Sequence, residues 1–521
     1  MALSESNKID PAPGASIART WCLCVLVFSL FYALTCQRGV SWQDSGMYQW
    51  RVIDGQYVGQ RGLALGHPLY IGAAQILKYI PIGSLAGRLN FFSGLGMAVA
   101  LANLTATLML LTGRRWIGLL TVSTLATAHT VWWLSTVAEV YTWSAAGLTA
   151  ELWLLVILVR GPSLRPLAGL ALVSGLGLSL HNFALLPLPI YLVLVIVLVF
   201  RRRLSGRLLA VAGLAWLAGA SLYLGFVIHH ALAGGDVVDT MRSALFGRYA
   251  AQVLNTSSLS QNFKANMALS ALNFISMLGP LAIVGWFGMR RKLGLTLAVT
   301  LGAVTVIEVL FFIRYSVPDQ FTFILPTLVT VALAAGIGLS ILADMSRRVR
   351  TCAVSLCVAS LAAQPVFYAA GPSLLRAAGV RVSRGRRLPF RDEMRYWLVP
   401  WKQNEDSAER FSVSALAQCR PGSVILADST SVYPLLVTRN GNDEYEDVQV
   451  SEFNRLLPSY DDDPQGYRRA LAGRSLYVVS TEQEGLSTRL LADTEAIPCP
   501  ADSPVLYRLE WKPTPATAPE R

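Results

Sequence analysis

Residues 89–115 read LNFFSGLGMAVALANLTATLMLLTGRR, a long apolar run that ends in two arginines. About 20 apolar residues are enough for a helix to cross the hydrocarbon core of a membrane. A basic pair directly after such a run is typical of a cytoplasmic loop, because Lys and Arg are enriched on that side. The stretch therefore predicts a membrane-spanning helix whose C-terminal end lies in the cytoplasm.

The composition of the whole chain excludes an ordinary soluble enzyme, a disordered protein and a fibrous repeat. Of 521 residues, 53% are hydrophobic and only 15% are charged, whereas soluble domains carry about 25% charged residues. The mean hydropathy is +0.46. The net charge of +12, from 44 basic and 32 acidic residues, would suit a nucleic-acid-binding protein. Most of the Lys and Arg residues lie in short clusters between apolar runs, however, and this arrangement favours a polytopic membrane protein.

The same pattern along the chain predicts an α-helical membrane protein with about eleven spans. These are residues 21–36, 89–111, 117–131, 137–159, 166–180, 183–200, 208–228, 268–289, 293–313, 321–343 and 351–370. Residues 68–81 are apolar but too short to span, so they predict a helix that lies at the membrane surface. Basic clusters follow alternate spans, which places the N-terminus in the cytoplasm.

This topology divides the chain into three parts. Residues 1–20 form a cytoplasmic segment, residues 21–370 a membrane domain with an outer loop at 37–88, and residues 371–521 an extracytoplasmic domain. Strand-like runs bounded by Gly, Pro, Asn and Asp predict that the last part is a small α/β domain. The runs are residues 423–426, 432–437, 475–479 and 505–509. The same part contains Cys419 and Cys499, and their spacing leaves open whether they pair.

Sequence motifs for nucleotide or serine-hydrolase chemistry are absent from the chain. It has no Walker A sequence, no convincing Gly-rich strand–helix turn and no nucleophile elbow. No His/Cys cluster has metal-ligand spacing, so no metal site is predicted, and a divalent-metal requirement stays open. Ionisable groups at the edge of the membrane are costly and are therefore functional candidates. Asp44 follows the first span and is the candidate general base; the alternative is a turn aspartate beside Ser45 and Gly46.

Further candidates lie on the same predicted outer side. Arg and His can bind phosphate through charge-assisted hydrogen bonds, although each Arg could equally contact lipid headgroups and His67 could be a simple helix cap. The candidates for phosphate are His67, Arg88, Arg248 and Arg314, and Arg51 and Arg61 on the same outer side have the same two alternatives. Other polar groups nearby also fit caps, turns or structural ion pairs. They are Asn90, Glu139, Tyr141, His181, Asn182 and Asp319.

Several short motifs, in this order, resemble the membrane-embedded glycosyltransferases of the GT-C superfamily. They are Asp44-Ser45-Gly46-Met47, His67-Pro68-Leu69-Tyr70, Arg88-Leu89-Asn90, Ala138-Glu139-Val140-Tyr141, Ser179-Leu180-His181-Asn182 and the turn from Arg314 to Phe321. The likeness is greatest to the protein O-mannosyltransferase-like group, formerly a family of unknown function. It covers residues 42–200 well and the region to residue 343 loosely. Met47 departs from the Glu of that group, and its longer His-Pro-Pro-Gly is shortened here.

The resemblance implies an enzyme whose donor is a polyprenyl-phosphate sugar. Its acceptor would be a protein, glycan or lipid on the outer face of a membrane, expected to be a bacterial plasma membrane. The sugar would be mannose or another hexose or pentose, transferred by an inverting displacement. Asp44 would be the base, and His67, Arg88, Arg248 and Arg314 would hold the donor or its phosphate. The residues implied to line the same cavity are Asn90, Glu139, Tyr141, His181, Asn182 and Asp319.

Two other functions fit the same sequence. A transporter or flippase of lipid-linked sugars would use the same helices and outer arginines without covalent chemistry, and inverted repeats would favour it. A non-catalytic membrane assembly protein would use its outer domain to bind a partner. Met47, where the resembling group has Glu, keeps this third interpretation open.

Overall fold

The structure is a computed structural model that describes most of the chain. The described residues are 14–59, 61–234, 236–254, 259–315, 319–380, 387–452, 459–483 and 485–513. Most of the predicted cytoplasmic segment and the centre of the Arg314–Phe321 turn lie outside them.

Helices dominate the part of the chain before residue 378. They are α1 (Gly14–Thr35), α2 (Gln43–Asp54), α3 (Pro68–Ala74), α4 (Leu85–Thr112), α5 (Arg115–Ala126), α6 (His129–Leu134), α7 (Tyr141–Arg160), α8 (Leu164–Leu180), α9 (Leu188–Phe200), α10 (Leu208–Leu232), α11 (Val237–Phe246), α12 (Ala250–Leu254), α13 (Leu259–Asn273), α14 (Leu278–Leu293), α15 (Leu295–Arg314), α16 (Leu325–Met345) and α17 (Arg347–Ala377). Short 3₁₀ turns occur at Leu63–Leu65, Gln75–Tyr79, Asn182–Leu185, Gly247–Tyr249 and Gln320–Ile324.

Within the described residues, eight helices are long and apolar enough to cross a membrane. They are α1, α4, α7, α9 with the turn before it, α10, α15, α16 with the turn before it, and α17. A ninth span results if α13 and α14 are counted together, and α8 is apolar but only 17 residues long. The predicted total of about eleven spans stays a prediction.

Two predicted spans are interrupted in the structure. The prediction of one helix over residues 268–289 is wrong, because α13 and α14 meet there at an angle of 98°. Asn273 ends α13, and its buried amide donates to Thr130 Oγ1 and accepts from Thr130 N, at 3.0 and 2.8 Å. Residues 117–131 likewise divide into α5 and α6. Apolar composition alone does not reveal a break that a distant partner stabilises.

Close helix contacts in the bundle depend on small residues. Gly285 of α14 and Gly338 of α16 face each other, and a Cβ on Gly338 would lie 2.0 Å from Leu281 O. Membrane helices gain little from hydrophobic burial against lipid, so close backbone packing through glycine is a main source of their association. At the centre of the bundle, α4 packs between α1 and α7.

The C-terminal part forms a five-stranded mixed sheet in the order β2-β1-β3-β5-β4. Its strands are β1 (Val424–Ala427), β2 (Gln449–Glu452), β3 (Leu476–Val478), β4 (Thr494–Cys499) and β5 (Leu506–Trp511), and its helices are α18 (Glu393–Leu398), α19 (Ser407–Leu416), α20 (Val432–Asn440), α21 (Pro464–Ala470) and α22 (Thr488–Asp493). β1 pairs in parallel with β2 and β3, and β5 is antiparallel to both β3 and β4. The predicted small α/β domain is therefore present.

One strand predicted in this domain is a helix. Residues 432–437 lie in α20, whose first turn follows the carboxylate of Asp428. Asp428 Oδ1 accepts hydrogen bonds from the backbone N–H groups of Thr430 and Ser431, at 3.1 and 3.0 Å. This turn starts a helix in a stretch whose β-branched residues alone suggest a strand. β2 and β4 were not predicted from the sequence.

The sheet domain is docked on the end of the membrane bundle from which α2 emerges. Trp42 Nε1 donates to Ser407 Oγ at 2.8 Å, and Lys402 N donates to Thr35 O at 2.7 Å. Gln43 N also donates to Thr430 O at 3.2 Å. These contacts hold the start of α2 between the two parts of the protein.

Candidate active site

Asp44 lies in the first turn of α2, directly beneath the sheet domain. Gly46 allows this placement, because a Cβ there would be 2.3 Å from Ser41 O and 3.1 Å from the Tyr433 side chain. The Asp44 carboxylate forms an ion pair with Arg61, with Nη1 to Oδ1 at 3.0 Å. The two side chains are 36% and 23% exposed, so the pair is accessible from a cavity.

Two cavities meet at this ion pair. The first, called cavity A, has a volume of about 400 Å³ and lies among α2, the loop before α3, the turn after α8 and α15, with α20 and β2 of the sheet domain on one side. The second, called cavity B, has a volume of about 1030 Å³ and lies between the membrane helices and the sheet domain. The residues that line both cavities are Asp44, Arg61, Tyr249 and Asp319.

The structure brings most of the predicted site residues to these cavities, although they come from distant segments. Those that line cavity A are Asp44, His67, Tyr141, His181, Asn182 and Asp319. Glu139 lines cavity B together with Asp44 and Asp319. A carboxylate, a guanidinium and two imidazoles thus line cavity A, and this combination can move a proton and hold a polar ligand.

Glu139 is a buried carboxyl next to Asp44. Ser45 Oγ donates to Glu139 Oε1 at 2.8 Å, and the backbone N–H of Glu139 donates to Ser93 Oγ at 2.7 Å. Burial, followed by the nearby charge of Asp44, raises the pKa of Glu139 well above 4.5. Two carboxyls in neighbouring but different environments can take different protonation states. Glu139 is the one favoured in its neutral form.

His67 and His181 stack in the wall of cavity A. Their ring centroids are 4.8 Å apart and the planes differ by 18°. His67 precedes α3 with a left-handed backbone (φ 50°, ψ 49°), and Pro68 occupies the first helical position. His181 ends α8 and starts the 3₁₀ turn of residues 182–185. The two chain reversals therefore present both rings to the same space.

The remaining predicted residues do not line either cavity. Arg88 lies in the first turn of α4, Arg248 is exposed, and Arg314 ends α15 outside the cavity walls. Asn90 is fully buried, and its amide donates to Gln37 O and Gly39 O, each at 2.9 Å. Asn90 therefore positions the loop before Asp44, and the phosphate role of the three arginines stays a prediction.

The contacts of two outer-side arginines, Arg61 and Arg51, were not predicted from the sequence. Arg61 belongs to the outer loop, but nothing in the spacing pairs it with Asp44. Arg51 is buried and donates to backbone carbonyls of the loop before His67, including Leu65 O at 3.0 Å and Tyr57 O at 2.8 Å. An arginine in the last turn of a short amphipathic helix was the available signal for this role. Met47, 8% exposed, also lines cavity A.

No group of three or more His, Cys, Asp or Glu side chains that could hold a metal ion is found among the described residues. The cysteines of the described residues are free thiols, including Cys419 and Cys499.

Comparison with known proteins points to one family and one fold. Residues 63–204 match the family described as protein O-mannosyl-transferase TMEM260 N-terminal domain. The crystal structure of ArnT from Cupriavidus metallidurans bound to undecaprenyl phosphate superposes with a TM-score of 0.57 at 12% identity, covering 96% of this chain and 98% of ArnT. The apo form of the same protein gives a TM-score of 0.56 with the same identity and coverage. No curated protein matches the chain significantly.

The family match confirms, over residues 63–204, the resemblance to the O-mannosyltransferase-like group that the motifs predict. The chain has the fold of ArnT and is an integral membrane protein. The matched residues 63–204 include His67, Glu139 and His181, whereas Asp44 precedes them.

Proposed function

We propose that this chain, which shares the ArnT fold, is a GT-C-type glycosyltransferase. It moves a sugar from a polyprenyl-phosphate donor to a hydroxyl of a protein, glycan or lipid acceptor on the outer face of the membrane. The observation that carries this proposal is the position of Asp44 and Arg61, because this ion pair lies where two separate cavities meet. A transferase for two large substrates needs such a meeting point.

Cavity A is assigned to the donor. Apolar side chains from the membrane helices form much of its wall, including Leu185, Leu186, Phe311 and Phe323. An isoprenoid chain can lie against such a wall while its phosphate reaches Arg61. ArnT binds undecaprenyl phosphate in its crystal structure, which supports a lipid phosphate of this class.

Cavity B is assigned to the acceptor. It is the larger of the two, and its lining includes sheet-domain residues such as Ser429, Thr430 and Gln483. An acceptor could therefore enter beside the sheet domain without displacing the donor lipid. Asp44 and Glu139 both line this cavity, and an acceptor hydroxyl would meet the sugar beside them.

The chemistry of transfer follows from this arrangement. An acceptor hydroxyl gives its proton to the Asp44 carboxylate, and its oxygen forms a bond to the anomeric carbon. The bond from that carbon to the phosphate oxygen breaks, and the electron pair stays on the polyprenyl phosphate that leaves. Arg61, 3.0 Å from Asp44, stabilises the negative charge that grows on the leaving phosphate. Asp44 is therefore the proposed general base and Arg61 the proposed phosphate contact.

The outer face is the proposed location of the site. Arg114 and Lys292 both pair with Asp344, at 2.6 and 2.5 Å, so two basic loops meet at one end of the bundle. α4 has 28 residues, which separates its ends by about 40 Å at 1.5 Å per residue. Its C-terminal end approaches these basic loops, and its N-terminal end approaches the loop of Asp44. If the basic end is cytoplasmic, then Asp44 and the sheet domain lie outside.

Cysteine labelling tests this orientation. In intact cells of the producing bacterium, a membrane-impermeant maleimide should label Asp502→Cys above the wild-type background, because this exposed residue belongs to the sheet domain. Arg202→Cys, which is exposed in a basic loop, should be labelled only after the membrane is opened. The reverse pattern would contradict the proposed orientation.

A transfer assay tests the enzymatic function. Purified protein is incubated with a labelled polyprenyl-phosphate hexose and candidate peptide, glycan and lipid acceptors. Covalent transfer of the label supports the proposed function. Movement of the labelled lipid across a liposome membrane without transfer would indicate a flippase, and neither result would indicate an assembly protein.

A further inference from the structure

The stacked imidazoles of His67 and His181 indicate which substrate groups they can bind, because their hydrogen bonds determine which ring nitrogen of each histidine is protonated. His67 Nδ1 is 2.8 Å from Leu180 O. A carbonyl oxygen only accepts, so His67 Nδ1 is the protonated nitrogen and Nε2 has a lone pair. His181 Nδ1 accepts from the backbone N–H of Phe183 at 3.1 Å. The proton of neutral His181 is therefore on Nε2.

The two Nε2 atoms offer complementary hydrogen-bonding groups. Neither has a hydrogen-bond partner among the described residues, and both rings line cavity A. His67 offers an acceptor and His181 a donor, from rings whose centroids are 4.8 Å apart. The aromatic rings of Tyr141 and Phe183 lie 5.3 and 4.0 Å from that of His181. Aromatic rings therefore pack against this side of the cavity, while the charged side chains of Asp44 and Arg61 line the same space.

Both imidazoles are uncharged near neutral pH. Burial lowers the pKa of His181 to about 3. Burial also lowers the pKa of His67 well below 6.5, and the neighbouring His181 and Arg51 lower it further. A neutral imidazole with its lone pair towards the cavity repels a phosphate oxygen, which requires donors on every side. The phosphate contact predicted for His67 from the sequence is therefore not the role that this geometry favours.

We propose that His67 and His181 form a sugar-reading pair that selects a neutral sugar carrying adjacent hydroxyls. One hydroxyl donates to His67 Nε2, and its neighbour accepts from the N–H of His181 Nε2. The inference rests on the proposed function and deepens it, since it names the sugar class that cavity A holds. His67 and His181 act as specificity-determining residues, while Asp44 and Arg61 act on the bonds that change.

Asn substitutions isolate the cavity-facing nitrogen of each histidine. In His67→Asn, the side-chain amide can still donate towards Leu180 O, and Asn tolerates the left-handed backbone at this position (φ 50°). In His181→Asn, the side-chain oxygen can still accept from Phe183 N. Both variants lose the group at Nε2. His230→Asn is the matched control, because His230 is exposed and lines neither cavity.

A set of deoxy donors provides the test. The donors are polyprenyl-phosphate hexoses, each lacking one hydroxyl, and transfer is measured as kcat/KM. In the wild-type protein and in His230→Asn, removal of the recognised hydroxyls should lower kcat/KM by about tenfold or more, because a polar group of the site loses its hydrogen-bond partner. In His67→Asn and His181→Asn, transfer of the full hexose should fall to the same extent, and removal of the matching hydroxyl should have no further effect. Binding of sugar-free polyprenyl phosphate should change less than twofold.

The outcomes separate this inference from the proposed function. Variants that keep the wild-type response to every deoxy donor would overturn the sugar-reading pair while transfer itself stands. Equal weakening of sugar-free polyprenyl phosphate and of the loaded donor would assign the histidines to phosphate instead. If the wild-type protein transfers no lipid-linked sugar, then the proposed function fails and the sugar-reading pair fails with it.

Discussion

Replacing Glu139 by Gln should leave sugar transfer within about threefold of the wild-type rate, although Glu139 lies beside the proposed base. Gln has the same shape as Glu and keeps a side-chain oxygen that can accept the hydrogen bond from Ser45 Oγ. This hydrogen bond is 2.8 Å long in the wild-type protein. Because burial favours the neutral carboxyl, the substitution removes little charge, and the free energy of unfolding should change by less than about 1 kcal/mol. Glu139→Ala instead leaves the buried Ser45 hydroxyl without its acceptor, at a cost of about 1–3 kcal/mol.

The pH dependence of stability tests the same reasoning. The pKa of Glu139 is raised on folding, so its stabilising contribution is complete below about 4.5 and is lost as the pH rises towards the folded value. Glu139→Gln cannot titrate. The wild-type protein should therefore lose stability relative to Glu139→Gln as the pH rises from 4.5 to 8.5.

The two measurements are thermal unfolding of the purified protein in detergent over that pH range and the rate of sugar transfer at pH 7. Glu151→Gln is the matched control, since Glu151 is an equally buried carboxyl that accepts from Tyr191 at 3.0 Å and lines neither cavity. A loss of transfer beyond about 100-fold in Glu139→Gln, with unfolding unchanged, would refute the assignment of Glu139 as a neutral group. A stability difference that does not vary with pH would refute the protonation argument.

Two further substitutions test the buried amine of Lys402 and the ion pair of Asp44 with Arg61. Burial lowers the pKa of Lys402 from 10.5 to about 7. The free energy of unfolding of the wild-type protein should therefore rise between pH 7 and 10.5, by up to about 5 kcal/mol over the whole window. Thermal unfolding of Lys402→Met should show no such rise. Arg61→Gln should lower the transfer rate by about 100-fold, because it removes a positive charge beside the leaving phosphate, while stability changes by less than about 1 kcal/mol because the pair with Asp44 is partly exposed. Arg410→Gln, in an exposed ion pair, should transfer sugar at the wild-type rate.

The sequence was sufficient to predict the membrane helices whose apolar runs are uninterrupted. α4 is an example, since residues 89–111 were predicted and the helix spans Leu85–Thr112. Its Ser84 N-cap accepts from Gly87 N, which accounts for the earlier start. The prediction of one continuous helix over residues 268–289 is wrong, because the break after Asn273 depends on hydrogen bonds to Thr130, which is 143 residues away in the chain.

In the candidate site, too, the sequence indicates individual residues but not the contacts between distant segments. Asp44, Glu139 and His181 were found because a polar group at the edge of the membrane is costly and therefore conspicuous. Their convergence on the two cavities could only be inferred by resemblance, since no spacing within one helix joins them. Arg61 was not predicted as the partner of Asp44, because a separation of 17 positions leaves the outer loop free to fold in many ways. The protonation of His67 and His181 depends on backbone partners, which a sequence does not specify.

The most direct test of the account is the rate of sugar transfer from a labelled polyprenyl-phosphate hexose by Asp44→Asn compared with Asp54→Asn. Both substitutions remove one carboxylate from α2, but Asp54 is an exposed residue at the far end of the helix. We predict that Asp44→Asn lowers the rate by at least about 100-fold with unchanged thermal unfolding, and that Asp54→Asn transfers as the wild-type protein does. Near-wild-type transfer by folded Asp44→Asn would contradict the assignment of Asp44 as the general base.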